Sequence, residues 1–430
     1  MTERSVAIQR AEALARTIDP ARLPALRRRM RWILFGISAL GSTGYIAAVT
    51  VGTLVAAELS GGAAMGGLPT AVTTIGTASA ASLLALTMLR VGRRGGILLG
   101  LTVGALGGGV VFVAVLAGSI PLLLLGSAMT GFANAAGNLG RYIAADMVPP
   151  ERRASAIGIV VWGTTIGTVI GPNLAAPAAS VAAAAGLPEL AGAYAVTVLF
   201  IGLAALVGYV VLRPEPYALA DPSALHRPAD ATVPAVRTAT ILVRPTVLLA
   251  LVTLVAAQVV MVLIMTMTPL HLTDHGHGLE TVGFVLSAHT FGMFGLSPLS
   301  GRLTDRFGPI AVIGSGLAIL AAASVLAAVA PPEGGFGLTV ALFLLGFGWN
   351  LCFVAASSML GHGLALGERT RVQGIADTLT WGTAAFASLF SGLVVASASY
   401  TALGLLGVAL LVPPALLVLA RGRLASAGLA

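Results

Sequence analysis

Long apolar runs, separated by short polar breaks, dominate the chain. They fall near residues 32–57, 67–90, 95–117, 120–145, 154–177, 191–212, 247–271, 280–300, 309–330, 336–360, 371–397 and 400–420. Each is long enough for a helix rising about 1.5 Å per residue to cross about 30 Å of hydrocarbon. Inside a bilayer the backbone must satisfy its own hydrogen bonds, which leaves helices or a closed barrel, and the residue-by-residue alternation of barrel strands is missing. The pattern predicts an all-α membrane protein with twelve transmembrane helices, referred to below as spans 1 to 12. Its first partner is the lipid bilayer.

The longest polar break, residues 213–246, is rich in proline and charge and too polar to cross a membrane. It divides the runs into two groups of six. The expected organisation is a tail over 1–31, a six-helix half over 32–212, a linker over 213–246, a second six-helix half over 247–420 and a tail over 421–430. Two pseudo-symmetric halves around a linker are the layout of carriers whose site lies at mid-membrane between them.

Composition agrees, with 57% hydrophobic and only 9% charged residues in 430; a soluble protein of this size needs a far more charged surface. All 24 basic residues are arginines. They cluster in residues 4–31, at Arg90/Arg93/Arg94, Arg141/Arg152/Arg153, within 213–244, at Arg302/Arg306, Arg369/Arg371 and Arg421/Arg423, which puts them all on one side. The positive-inside rule makes that side the cytoplasm, so both termini are expected there, in a multi-pass protein of the cell (inner) membrane. The net charge of +8 therefore reports orientation, and nucleic acid is not an expected partner. Residues 1–31 read as a cytoplasmic tail, because the first apolar run is longer than the core of a signal peptide and no processing site follows. A monomer is expected. The single cysteine, Cys352 in span 10, permits no internal disulfide and reads as a small buried apolar residue. Neither a nucleotide-binding loop nor a convergent catalytic set is present, so the chain does not read as an enzyme.

Candidate chemistry concentrates between Met261 and Met293. Met261 and Met265 lie four apart in span 7, on one stripe with Gln258, and His289 and Met293 lie four apart in span 8. Thioether and imidazole are neutral, soft ligands that suit Cu(I) and bind weakly enough to release it. The loop between these spans presents His271, Asp274, His275, His277 and Glu280, which reads either as a cation-collecting outer mouth or as a solvated loop. An ionisable residue inside a span is costly without a partner, so His289 marks a site, as metal ligand or as proton acceptor. Asp377 in span 11 is the other coupling candidate, or a gate residue. Asn134, Asn138 and Arg141 form an i, i+4, i+7 stripe on span 4, either lining a cavity together with Gln258 and Asn350 or bonding neighbouring helices.

Between spans 8 and 9, Gly301-Arg302-Leu303-Thr304-Asp305-Arg306-Phe307-Gly308 resembles the loop signature of the major facilitator superfamily. The matching loop of the first half keeps Arg90, Gly92, Arg93 and Arg94 but has Ala85 and Leu89 where that family puts Gly and Asp. Asp146 to Arg153 resembles the family's connection between spans 4 and 5. In span 5, Gly158, Gly167, Gly171-Pro172 and Ala175-Ala176 resemble its antiporter signature, while Ser127 stands where many proton-driven drug exporters have arginine. The resemblance implies a major facilitator fold, alternating access without a resident cofactor, and a cytoplasmic gate built from Gly301, Arg302, Asp305, Arg306, Gly308 and Arg90. More narrowly, Met261-x-x-x-Met265 and His289-x-x-x-Met293 resemble the motifs of the CcoA-like copper importers, which makes copper the substrate and these four residues its ligands. The alternative is a carrier of small organic solutes, either a drug or metabolite exporter or a flavin importer, using Asn134, Asn138, Asn350, Trp162, Trp349 and Trp381.

Overall fold

A computed structural model describes residues 6–60, 67–220, 238–277, 279–331 and 335–426. Over those residues the chain is helical, without strands. Half of the predicted linker, 221–237, lies outside the described residues, as do 1–5 and 427–430 of the tails and the side chain of Glu280. Among the described residues, ten helices are long and apolar enough to cross a membrane, and a bent pair, Thr281–Gly295 with Ser297–Phe307, adds another. One of the ten, Leu68–Ala117, has 50 residues and would reach about 75 Å if straight. It is two spans, because Gly92 takes φ +93° inside it and turns the chain; that backbone conformation is open to glycine and costly for other residues. The count is therefore the predicted twelve.

Several helices run beyond their apolar cores. Span 1 begins at Leu23 and ends at Ser60, since the arginines before residue 32 continue the helix into the polar layer. Ahead of it, Val6–Ala15 of the tail forms a separate helix. In span 5 the helix Arg153–Asn173 breaks just after Pro172, and a short apolar helix, Ala175–Ala184, follows. Proline removes one backbone donor and crowds the preceding turn.

Packing divides the chain into two compact units. The first comprises Met1–Pro149, Ile159–Ala235 and Gly363–Gly382, and the second comprises Pro150–Gly158, Val236–His362 and Thr383–Ala430. The first part of span 11 thus counts with the first unit and the start of span 5 with the second.

The first unit is held by close helix contact. In lipid, apolar side chains gain little by leaving their surroundings, so association relies on fitting backbones closely together. Gly100, Gly104 and Gly107 of span 3 face Ala136, Ala133 and Met129/Thr130 of span 4, and a Cβ on any of the three would collide there. Changing Gly104 to Val is expected to destabilise the fold by about 1–3 kcal/mol. Thermal unfolding in detergent measures this, and an unchanged midpoint would refute the seam.

Candidate functional site

A polar ladder climbs span 4 of the first unit. The Asn134 side chain donates to Thr77 Oγ1 of span 2 at 3.4 Å, with Tyr45 of span 1 beside Thr77. Asn138 donates to the Asn134 carbonyl at 3.0 Å and to its Oδ1 at 3.3 Å. Arg141 donates to the Asn138 carbonyl at 2.7 Å. The ladder ends on Asp377 of span 11, which accepts from Arg141 Nη2 at 2.6 Å and from the Tyr142 hydroxyl at 3.0 Å. Arg141 and Asp377 are each 1% exposed. Of the two readings of Arg141, cavity wall or helix-to-helix bonding, the structure shows the second, and it joins Arg141 to Asp377, the coupling or gate candidate, in one ion pair. Asn134 and Asn138 stay half-buried.

A second buried network lies nearer the arginine-rich face of the same unit. Arg93 donates to Asp146 at 2.6 Å and to Gln373 of span 11 at 2.8 Å. Arg369 approaches the other oxygen of Asp146 at 3.7 Å. Glu215, just after span 6, accepts from the backbone N–H of Arg93 at 2.7 Å and of Arg94 at 3.4 Å, so it caps the helix that restarts after Gly92. Burial pushes the Glu215 carboxyl up from the usual carboxylate range, and the N–H groups of Arg94, Arg93 and Tyr217 offset part of the shift. Arg93 also lies over the Tyr217 ring, whose hydroxyl bonds Thr370 at 2.8 Å. Two arginines against two carboxylates leave the network formally neutral, the condition for burying charge. The expected gate residue Arg90 is exposed, whereas Arg93 is 1% exposed and makes these contacts. The sequence marked Arg93 and Asp146 as parts of two family-like loops, but nothing in residue identity paired them with each other or with Gln373 and Glu215.

In the second unit the Met/His residues are placed by span 10. His289 is 1% exposed, and its Nδ1 lies 2.8 Å from the Leu342 carbonyl. A carbonyl only accepts, so Nδ1 carries a proton, and in the neutral form of the ring Nε2 keeps its lone pair. Nε2 is buried and has no hydrogen-bond partner among the described residues. Met293 sits in a single π-turn, Phe291–Gly295, after which span 8 bends by 41°. Asn350 of span 10 stitches this break: its amide donates to the Met293 carbonyl at 2.6 Å and to Ser297 Oγ at 2.7 Å, and it accepts from Ser300. Gln258, on the stripe of Met261 and Met265, accepts from Trp349 Nε1 at 2.9 Å. Met261 is buried and Met265 half-buried. Asn350, Gln258 and Trp349 thus spend polar atoms on helix contacts.

At the other candidate positions the contacts are local. His271 stacks on Tyr400 with ring centroids 4.2 Å apart, and His275 donates through Nδ1 to the His271 carbonyl at 2.7 Å. Asp274 is exposed and His277 half-buried. No group of three or more His, Cys, Asp or Glu gathers into a metal-binding cluster among the described residues. Asp305 accepts from the backbone N–H of Ala154 at 3.1 Å and Ser155 at 3.0 Å, capping span 5, and Gly301 packs against the same two residues. Gly308 ends the span 8 helix at φ +82°, while Arg302 and Arg306 are exposed. A recess of about 720 Å³ on the first unit, lined by Leu106, Val113, Met129 and Val198 among others, is apolar and holds none of the candidate residues.

Residues 32–388 and 272–427 match the family model described as Major Facilitator Superfamily. An uncharacterized MFS-type transporter of Bacillus subtilis (strain 168), YdeG, is 34% identical over 429 residues, 98% of each chain. The riboflavin transporter RfnT of Brucella anthropi is 30% identical over 381 residues, covering 87% of this chain and 90% of its own. Among solved structures, the human organic anion transporter MFSD10 superposes with a TM-score of 0.71 at 18% identity, over 91% of this chain and 99% of that one.

The two carboxylates of the arginine-rich network are separable by mutation. Asp146→Ala strands Arg93 and Arg369 and is expected to cost about 3–5 kcal/mol, whereas Glu215→Ala removes a helix cap worth about 1 kcal/mol. Thermal unfolding of both variants in detergent tests the order, and equal losses would contradict it.

Proposed function

The chain belongs to the major facilitator superfamily, and on that premise we propose that this membrane transporter carries a small organic solute of the flavin class, driven by protons through Asp377. The observation that carries the reading is the ladder from Thr77 through Asn134 and Asn138 to the buried Arg141–Asp377 pair. Half-buried amides offer both donors and acceptors, which suits the polar edge of a planar heterocycle and suits a bare cation poorly. The riboflavin transporter among the relatives points to the same class of substrate.

The pair also favours the proton as coupling ion. Asp377 already takes the Arg141 guanidinium and the Tyr142 hydroxyl, which leaves little room to ligate sodium, but a proton neutralises it where it stands. Protonation removes the charge that holds Arg141, and the first part of span 11 is freed from span 4. With the arginine-bearing side as cytoplasm, that release belongs to opening inward, and the reverse step to resetting.

A second reading, copper import through Met261, Met265, His289 and Met293, draws on one observation: the unpartnered Nε2 of a buried imidazole whose Nδ1 is oriented by a backbone carbonyl. That is how protein imidazoles are commonly prepared for a metal. On this reading copper is substrate.

Proteoliposomes with an inward proton gradient separate the two. Wild-type protein is expected to accumulate riboflavin, a protonophore to abolish the accumulation, and Asp377→Asn to lower uphill uptake by about tenfold or more, as loss of a charge-assisted contact in part of the cycle would do. Uptake of Cu(I) that depends on His289, with no riboflavin uptake, would overturn the flavin reading in favour of copper.

A further inference from the structure

The two halves end their matching loops differently. In the second, Asp305 reaches the first N–H groups of span 5 at Ala154 and Ser155. A carboxylate there satisfies donors that the helix leaves unpaired and meets the positive end of its dipole. The matching residue in the first half is Leu89, which accepts nothing. The helix that carries span 11 begins at Leu366 and runs to Ser397, and Leu89 nevertheless lies at its start: a Cβ built on Gly367 would sit 3.8 Å from Leu89 Cδ2. The same point would sit 3.4 Å from Cδ1 of Ile8.

Ile8 belongs to the N-terminal helix Val6–Ala15. Ala7 and Ala11 are 5% and 1% exposed, in an apolar cluster with Tyr217, Ala218, Ala220 and Leu366, against which Ile8, Ala15 and Ile18 also pack. Gln9, Arg10 and Ala13 on the other side of the helix are exposed. The segment after span 6 is held from below as well, because Arg27 donates to the carbonyls of Leu219 and Ala220 at 2.9 Å each. The first residues of span 11 are left to a local cap, with Glu368 accepting from the Ala365 N–H at 3.0 Å. The N-terminal helix therefore touches the loop after span 2, the turn after span 6 and the start of span 11, all within the first unit.

We propose that this helix is a working part of the gate: with Leu89 it forms an apolar latch that positions the start of span 11, where the other half uses a carboxylate. The latch and the charge pairs act on the same segment, residues 363–382. Undocking the helix leaves the pairs intact but weakens the hold on Gly367, so the segment separates from the first unit more often.

The test is solvent access at a reporter, which needs no solute and so stands apart from the substrate assignment. In a Cys352→Ser background, Ser82→Cys places a thiol where Ser82 meets Thr378 of span 11 at 2.7 Å. Its labelling by a polar maleimide is measured in nanodiscs. Ile8→Glu and Ala11→Glu are each expected to raise the rate about fivefold, as loss of one buried apolar contact would, and Ala13→Glu on the exposed side to leave it unchanged. Leu89→Asp added to Ile8→Glu is expected to return the rate toward its starting value by capping span 11, which a misfolded variant would not do. Unchanged labelling in both Ile8→Glu and Ala11→Glu, or a rise that Leu89→Asp fails to reverse, would overturn the proposal.

Discussion

Away from water a charge without a partner is too costly to keep, and this constraint organises the first unit. Arg141 and Arg93 are both 1% exposed, and the partners that make their burial tolerable come partly from span 11, at Asp377 and Gln373. A chain segment far along the sequence is thereby drawn onto spans 2, 3 and 4, because only there are its carboxylate and amide matched. Pairing of this kind adds little net stability, since desolvation consumes most of the Coulomb gain. What it supplies is a specific contact between two distant segments of the chain.

The halves of the fold meet common demands with different chemistry. One loop signature ends in a carboxylate that caps a helix; its counterpart ends in a leucine and recruits an apolar helix from the tail. The second unit shows a further variation, for its span 8 is broken by a π-turn and a 41° bend, and Asn350 from span 10 satisfies the backbone that the break exposes. π-turns of this sort often stand at functional positions, and here one holds Met293 four residues beyond the buried imidazole of His289.

Reading the sequence was most successful where the physics is local. Apolar runs gave twelve spans because membrane thickness sets their length, and Gly301 to Gly308 revealed the family because its glycines and charges are contiguous. The i, i+4, i+7 stripe of Asn134, Asn138 and Arg141 was legible as one helix face, but its terminus was not, since Asp377 lies 236 residues away. Arg90 and Arg93 stand in one run of arginines, and only the turn at Gly92 decides which of them points inward. The orienting partner of His289 is the backbone carbonyl of Leu342, and a carbonyl leaves no trace in residue identity. Ile8 was invisible as well, since the tail was legible only as a charged cytoplasmic extension.

On the proposed coupling, the charge on Asp377 sets whether span 11 stays attached to span 4. Spin labels on these two spans, with their separation followed by pulsed electron resonance as pH is lowered, test it most directly and without any solute. The account predicts that the separation lengthens on acidification in the wild type and is already long at neutral pH in Asp377→Asn. A separation that ignores pH, or that stays short in Asp377→Asn, would contradict it.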